Sequence, residues 1–143
     1  MIQQVSVFLE NKAGHVERVS QVLRRERINV RSITLTHTAG GWGILNLLVD
    51  QPEEAARFLS EAGLSATLRR VFVFGMEDQP GGLDEVLHKV ARAGVNIINA
   101  YGRVIRRGEL ALLVIDVDDY DTALPLLLKA GLQPLDDETA YDR

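Results

Sequence analysis

The sequence predicts an α+β protein made of two β-α-β-β-α-β units in tandem, and three observations carry that reading. The stretch "ENKAGHVERVSQVLRRERINVRSI" that begins at Glu10 returns as "EDQPGGLDEVLHKVARAGVNIINA", with Gly14 and Gly81 sixty-seven positions apart. In each stretch a two-residue alternation gives way to helical spacing and then comes back. Each half also holds one nearly unbroken apolar run, "ILNLLVD" and "LALLVID", of the kind a central strand shows.

The elements follow in order. "QVSVFLE" puts Val5, Val7 and Leu9 on one face and reads as a strand. Gly14 breaks it, and Val16, Val19, Val22 and Leu23 then fall at helical spacing as far as Arg27. "NVRSITLTHT" is extended, "AGGWG" is a glycine-rich hairpin, and "ILNLLVD" is a central strand. "QPEEAARFLSEAGL" opens with a proline suited to a first helical turn and stops at Gly63. The second copy repeats this. "VFVFGME" is a strand, Gly81 and Gly82 form the turn, and Leu83, Val86, Leu87 and Val90 mark a helix that Gly94 ends. "VNIINAYGRVI" and "LALLVIDV" flank the hairpin "RRGE". "DDYDTALPLLLKAGL" is a helix expected to begin near Asp121, because Pro125 removes a backbone bond wherever it lies beyond the first turn. The tail "QPLDDETAYDR" gives weak support for a last strand.

Each half is therefore a ferredoxin-like unit, an antiparallel sheet with both helices on one face. The expected boundaries are 1–70 and 71–143. No Pro-, Gly- or Ser-rich linker separates them, so one extended segment around Arg69 to Val71 closes the first unit and opens the second. Units this small are near the size at which one core is marginal. Joined or tightly packed sheets, and a homodimer, are expected.

Composition narrows the function. With 46% hydrophobic and 25% charged residues the chain is of ordinary globular make-up. No apolar run approaches the ~18–20 residues of a membrane span. "MIQQVSVFLENK" lacks the basic start and long apolar stretch of a secretory signal, so a cytoplasmic location is expected. With no cysteine there are no disulfides, thiolate metal sites or cysteine nucleophiles. The net charge of −4, with dispersed basic pairs, argues against a nucleic-acid backbone as partner. The three histidines lack His-x-x-x-His spacing, and neither a Gly-x-Ser-x-Gly elbow nor a phosphate-cradling loop occurs. Asp118, Asp119 and Asp121 lack the glycine and glutamate of a calcium loop and read as a helix start. No catalytic residues, no metal and no cofactor are predicted, and the chain is read as a non-enzyme.

The doubled pattern "FLENKAGHV…RINVRSI" and "FGMEDQPGGL…AGVNIINA" resembles the ACT domain, a small ligand-sensing unit attached to many amino-acid biosynthetic enzymes. In that family a strand ends in an Asn/Asp-x-Pro-Gly turn, and the following helix ends in a Gly-x-Asn-Ile re-entry. Gly14 to Asn29 and Gly81 to Asn96 share one spacing, and the two matches cover nearly the whole chain. Three departures stand out. Ala13 occupies the usual proline position, and Arg27 the helix-ending glycine. Family members that sense serine carry a histidine where this chain has Leu9 and Met76, so a hydrophobic amino acid is favoured over serine. The resemblance implies a ligand held between two units, so that binding tightens an interface. RNA-recognition domains share the strand order, but their Lys/Arg-Gly-aromatic core is absent.

The physics of such a turn stands without the family. A helix that starts just after Gly14 or Gly81 presents unpaired N–H groups and the positive end of its dipole, a natural partner for a carboxylate. That places a ligand carboxylate at His15 and Val16, or at Gly82 and Leu83. Asn11 and Asp78, just upstream, can accept hydrogen bonds from an ammonium group, and Asn29 and Asn96 offer a carboxamide at the start of the next strand. Local roles remain open for all of them. Asn11 suits a turn, Asp78 suits a helix start, and Asn29 and Asn96 suit a left-handed helix end. The expected function is a stand-alone regulatory or sensor protein that binds an amino acid and conveys its presence to a partner. The alternative is a regulatory subunit of an amino-acid biosynthetic enzyme, similar to the small subunit of acetolactate synthase.

Overall fold

The computed structural model describes residues 1–136. Its elements follow the predicted order twice: β1 (Ile2–Glu10), α1 (His15–Arg25), β2 (Val30–His37), β3 (Trp42–Val49), α2 (Pro52–Glu61), β4 (Ser65–Glu77), α3 (Gly82–Arg92), β5 (Ile97–Arg106), β6 (Leu110–Val117) and α4 (Tyr120–Lys129). Two compact units form, one of Gln3–Arg69 and one of Met1–Ile2 with the chain from Arg70 onward. β4 is a single continuous strand that closes the first and opens the second.

In the first unit β3 lies between β1 and β2 and pairs antiparallel with both. Strand alternation aims Val5, Val7, Leu9, Leu45, Leu47 and Val49 at the helices, where Val19, Val22 and Leu23 of α1 and Ala55 and Leu59 of α2 meet them. Leu9, which stands where serine-sensing members of the family carry a histidine, is a core residue for this reason. On the other sheet face, Gln4, Ser6 and Asn46 are buried and satisfy one another. Ser6 Oγ donates to Asn46 Oδ1 at 2.8 Å, and Gln4 Nε2 donates to both at 3.1 Å. An unpaired buried amide would cost about 1–3 kcal/mol, so the three polar residues stand or fall together.

In the second unit β6 lies between β4 and β5, again antiparallel to both. Phe72, Phe74, Leu113, Ile115 and Val117 face Val86 and Val90 of α3 and Ala123 and Leu127 of α4. Residues 133–136 of the predicted last strand form no regular strand, although Leu135 N–H donates to the Val73 carbonyl at 2.8 Å. The rest of that segment lies outside the described residues. α4 begins at Tyr120, one residue before the expected start, because the Asp119 carboxylate caps it by accepting from Thr122 N–H at 3.2 Å. Pro125 sits in the second turn and takes one bond out of the helix.

The four helices among the described residues end alike. The N–H groups of the first and second residues past each cap bond back to the last turn, as in Arg27→Arg24 and Ile28→Leu23 of α1 and Gly94→Ala91 and Val95→Val90 of α3. The first of these residues must be left-handed. Gly63, Gly94 and Gly131 adopt that conformation without penalty, whereas Arg27 holds it at φ +57 with a side chain.

Candidate functional site

Each predicted turn is built by the end of one strand, a hairpin tip and the start of a helix. In the first unit, Asn11 N–H donates to the Gly41 carbonyl at 2.8 Å, which ties the strand exit to the β2–β3 hairpin. Its side-chain Nδ2 lies in hydrogen-bond contact with His37 Nε2 at 3.1 Å. Oδ1 of Asn11 remains an acceptor. Gly14 is left-handed at φ +87, and its carbonyl takes the first helical bond, from Arg18 N–H at 3.0 Å. His15 places Nδ1–H on the Glu10 carbonyl at 3.0 Å. Lys12 lies 2.9 Å from Glu10; it holds the Glu10 carboxyl below its ordinary value and is itself held above its own.

The second unit repeats the frame with different chemistry. Asp78 N–H donates to the Glu109 carbonyl at 3.2 Å, matching the Asn11–Gly41 bond. The Asp78 carboxylate accepts from Gly108 N–H at 2.7 Å through Oδ2, and the Gln79 amide donates to the Gly108 carbonyl. Gly81 is left-handed at φ +92, and its carbonyl takes Glu85 N–H at 3.0 Å. Gly82 is pressed against the strand end, where a Cβ would lie 2.0 Å from the Glu77 carbonyl oxygen. Neither α1 nor α3 has a side-chain cap at its start. No side chain therefore offsets the positive dipole end of either helix.

The predicted residues separate into two groups in each unit. Asn11, Gly14, His15 and Val16 gather at one end of α1, as Asp78, Gly81, Gly82 and Leu83 do at one end of α3. Asn29 and Asn96 follow the other ends of those helices, and an eleven-residue helix is about 16 Å long. Asn29 N–H donates to Asp50 Oδ1 at 3.0 Å, and its carbonyl accepts from Asp50 N–H at 3.1 Å, which fixes the entry to β2. Asn96 borders a cavity of about 140 Å³ with Asp118, Asp119 and Thr122. A second cavity of about 240 Å³ opens between the end of β4, α3 and the residues after α4, with Met76, Glu77, Gly82, Glu85 and Lys89 in its lining. Sequence reading missed two of these parts. His37 and Gly108 hold the upstream side chains through hairpins whose tips it located but whose contacts it had no means to register.

The family model for an ACT domain pair matches residues 1–142. The chain belongs to that family. The ACT pair shares its fold with protein BT0572 from Bacteroides thetaiotaomicron, at 28% identity and a TM-score of 0.82 over 94% of this chain and 91% of that one. It is also similar to the regulatory subunit of aspartate kinase from Thermus thermophilus (19% identity, TM-score 0.63, 90% of this chain and 91% of that one). The corresponding subunit from Thermus flavus gives 19% identity and a TM-score of 0.57, over 90% of this chain and 92% of that one. No curated protein matches the sequence. ACT domains are regulatory units, and among the described residues no group of metal-binding side chains occurs. No described helix is long and apolar enough to cross a membrane.

Proposed function

We propose that this ACT pair is a regulatory protein that binds a free amino acid at the turns before α1 and α3 and passes that information to a partner protein in the cytoplasm. The observation that carries the reading is the repeated open helix start. A left-handed glycine precedes an uncapped first turn, with a polar side chain, Asn11 or Asp78, fixed by a hairpin just upstream. The ligand carboxylate lies at the N–H groups of Val16 or Leu83, and its ammonium meets Asn11 Oδ1 or the Asp78 carboxylate. Half-buried Met76 beside Gly82 supports an apolar ligand side chain in the second copy.

Assembly into a homodimer belongs to the same reading. Edge strand β2 leaves Ile33 and Leu35 55% and 56% exposed, more apolar surface than an unprotected sheet edge normally carries. A second copy on that surface would cover it and bring two copies of the turn frame into one assembly. A thermal-shift screen of the twenty amino acids tests the reading. A true ligand at a hundred times its dissociation constant adds about 2.7 kcal/mol of stability. Twenty flat responses would remove the amino-acid assignment.

A further inference from the structure

The two units fill the space beneath their first helices in opposite ways. Arg18 and Glu85 are equivalent, since each N–H closes the first helical bond to the turn glycine, at 3.0 Å in both copies. In the first unit the Arg18 guanidinium reaches across to the C-terminal end of α2, where Nη2 donates to the carbonyl of its cap residue, Ala62. The guanidinium thus satisfies a carbonyl that the helix itself leaves without a donor, at the negative end of the dipole.

In the second unit Glu85 carries no hydrogen for the matching carbonyl end of α4. The space there is the 240 Å³ cavity, open between Glu85, Glu77, Lys89 and the turn at Gly131–Gln133. Met76 and Leu132 give it an apolar floor. Its lining sets one carboxylate, Glu85, and the turn past a helix C-terminus against one ammonium. Glu77 presents its backbone, because strand alternation turns its side chain to the other sheet face. Among the described residues, Glu85 takes part in no ion pair. The volume lies below the roughly 300–1,000 Å³ of pockets for drug-sized ligands, which suits a small amine with a short apolar stem.

We propose that this cavity is a binding site for a small organic cation bearing a guanidinium or primary ammonium group. The cation takes the place that Arg18 fills from within in the first copy. Glu85 is its carboxylate partner, the stem lies on Met76 and Leu132, and the last carbonyls of α4 accept its remaining hydrogens. The inference rests on the contrast between Arg18 and Glu85 and not on the amino-acid reading of the turns, with which the cavity shares Gly82 and Met76.

The probe is agmatine, which carries a guanidinium and an ammonium but no carboxylate, and so lacks the group that the helix starts would bind. Titrated into the full chain, it should bind once per chain and shift the amide resonances of Gly82 and Leu132. Glu85→Arg, which copies the first unit, should weaken that binding about tenfold or more without lowering the melting temperature. Lys89→Met, which removes the competing ammonium, should strengthen it. Failure of millimolar agmatine to bind would overturn the proposal. Binding that Glu85→Arg leaves unchanged, or that perturbs amides elsewhere, would do the same.

Discussion

The two copies share one backbone plan and differ where side chains meet it. At the helix start the first copy has His15, whose ring reaches back to the Glu10 carbonyl, whereas the second has Gly82, pressed directly on the Glu77 carbonyl. At the helix end the first copy forces Arg27 into a left-handed conformation that Gly94 adopts freely in the second. Upstream of the turn, an amide held by an imidazole faces a carboxylate held by a backbone N–H. The comparison teaches that hydrogen-bonded turns and Schellman ends are fixed by the fold, while charge and tightness around them were free to diverge. The second copy has the tighter turn and the more acidic surroundings.

The largest expected effect separates the helix starts. Gly82→Ala places a methyl group inside van der Waals contact of a backbone oxygen with no flexible neighbour to yield, and should cost roughly 3–5 kcal/mol in chemical denaturation. His15→Ala removes one exposed hydrogen bond and should cost under about 1 kcal/mol. Equal losses from the two would show that the copies do not differ in tightness.

The helix ends give the next effect, with opposite signs. Gly94→Ala should destabilise by about 1 kcal/mol, because alanine pays the left-handed penalty. Arg27→Gly relieves that penalty but loosens the unfolded chain, and should leave stability unchanged or raised by up to about 1 kcal/mol. Paired urea melts measure both.

The smallest effect concerns the second helices. α2 starts without a side-chain cap, while α4 is capped by Asp119, and Asp121 in its first turn binds the Arg70 guanidinium in bidentate fashion at 2.9 Å. Arg70 also stacks 4.5 Å above Tyr120, which lies parallel to Phe72 at 4.3 Å. Hydrogen bonding to Arg70 holds the Asp121 carboxyl below its ordinary 3.8, and bonding to Thr122 does the same for Asp119. Groups with lowered folded-state pKa contribute stability above their unfolded value and lose it as pH falls through the folded one. The melting-temperature difference between wild type and Arg70→Gln should therefore be largest near neutrality and shrink below pH 3.8. A difference that stays constant would assign the whole effect to the stack on Tyr120.

Much of this was legible in the sequence because period and glycine position record backbone demands directly. Gly14, Gly81, Gly63 and Gly94 mark turns that only a positive φ can make, and the apolar alternation of "QVSVFLE" fixes which face is covered. Asn46, inside a run read as nearly all apolar, was not legible as a polar core residue, because its partners Gln4 and Ser6 lie some forty positions away. The same holds for the site. Asn29 and Asn96 match the family spacing, yet the length of an intervening helix separates them from the turns within each unit. The tie between Asn11 and His37, and the space that Glu85 leaves open, depend on side chains from different elements meeting, and no one-dimensional pattern records that.

The measurement that bears most directly on the repeated turn as a ligand site is calorimetry with the best amino acid from the thermal screen, on wild type, Asn11→Ala and Asp78→Asn. Asp78→Asn keeps an oxygen for Gly108 N–H and removes only the charge offered to the ammonium. The account predicts that at least one variant binds more weakly by roughly 1–3 kcal/mol while both melt as cooperatively as wild type. If both bind as wild type does, the turns are scaffolding and the ligand sits elsewhere.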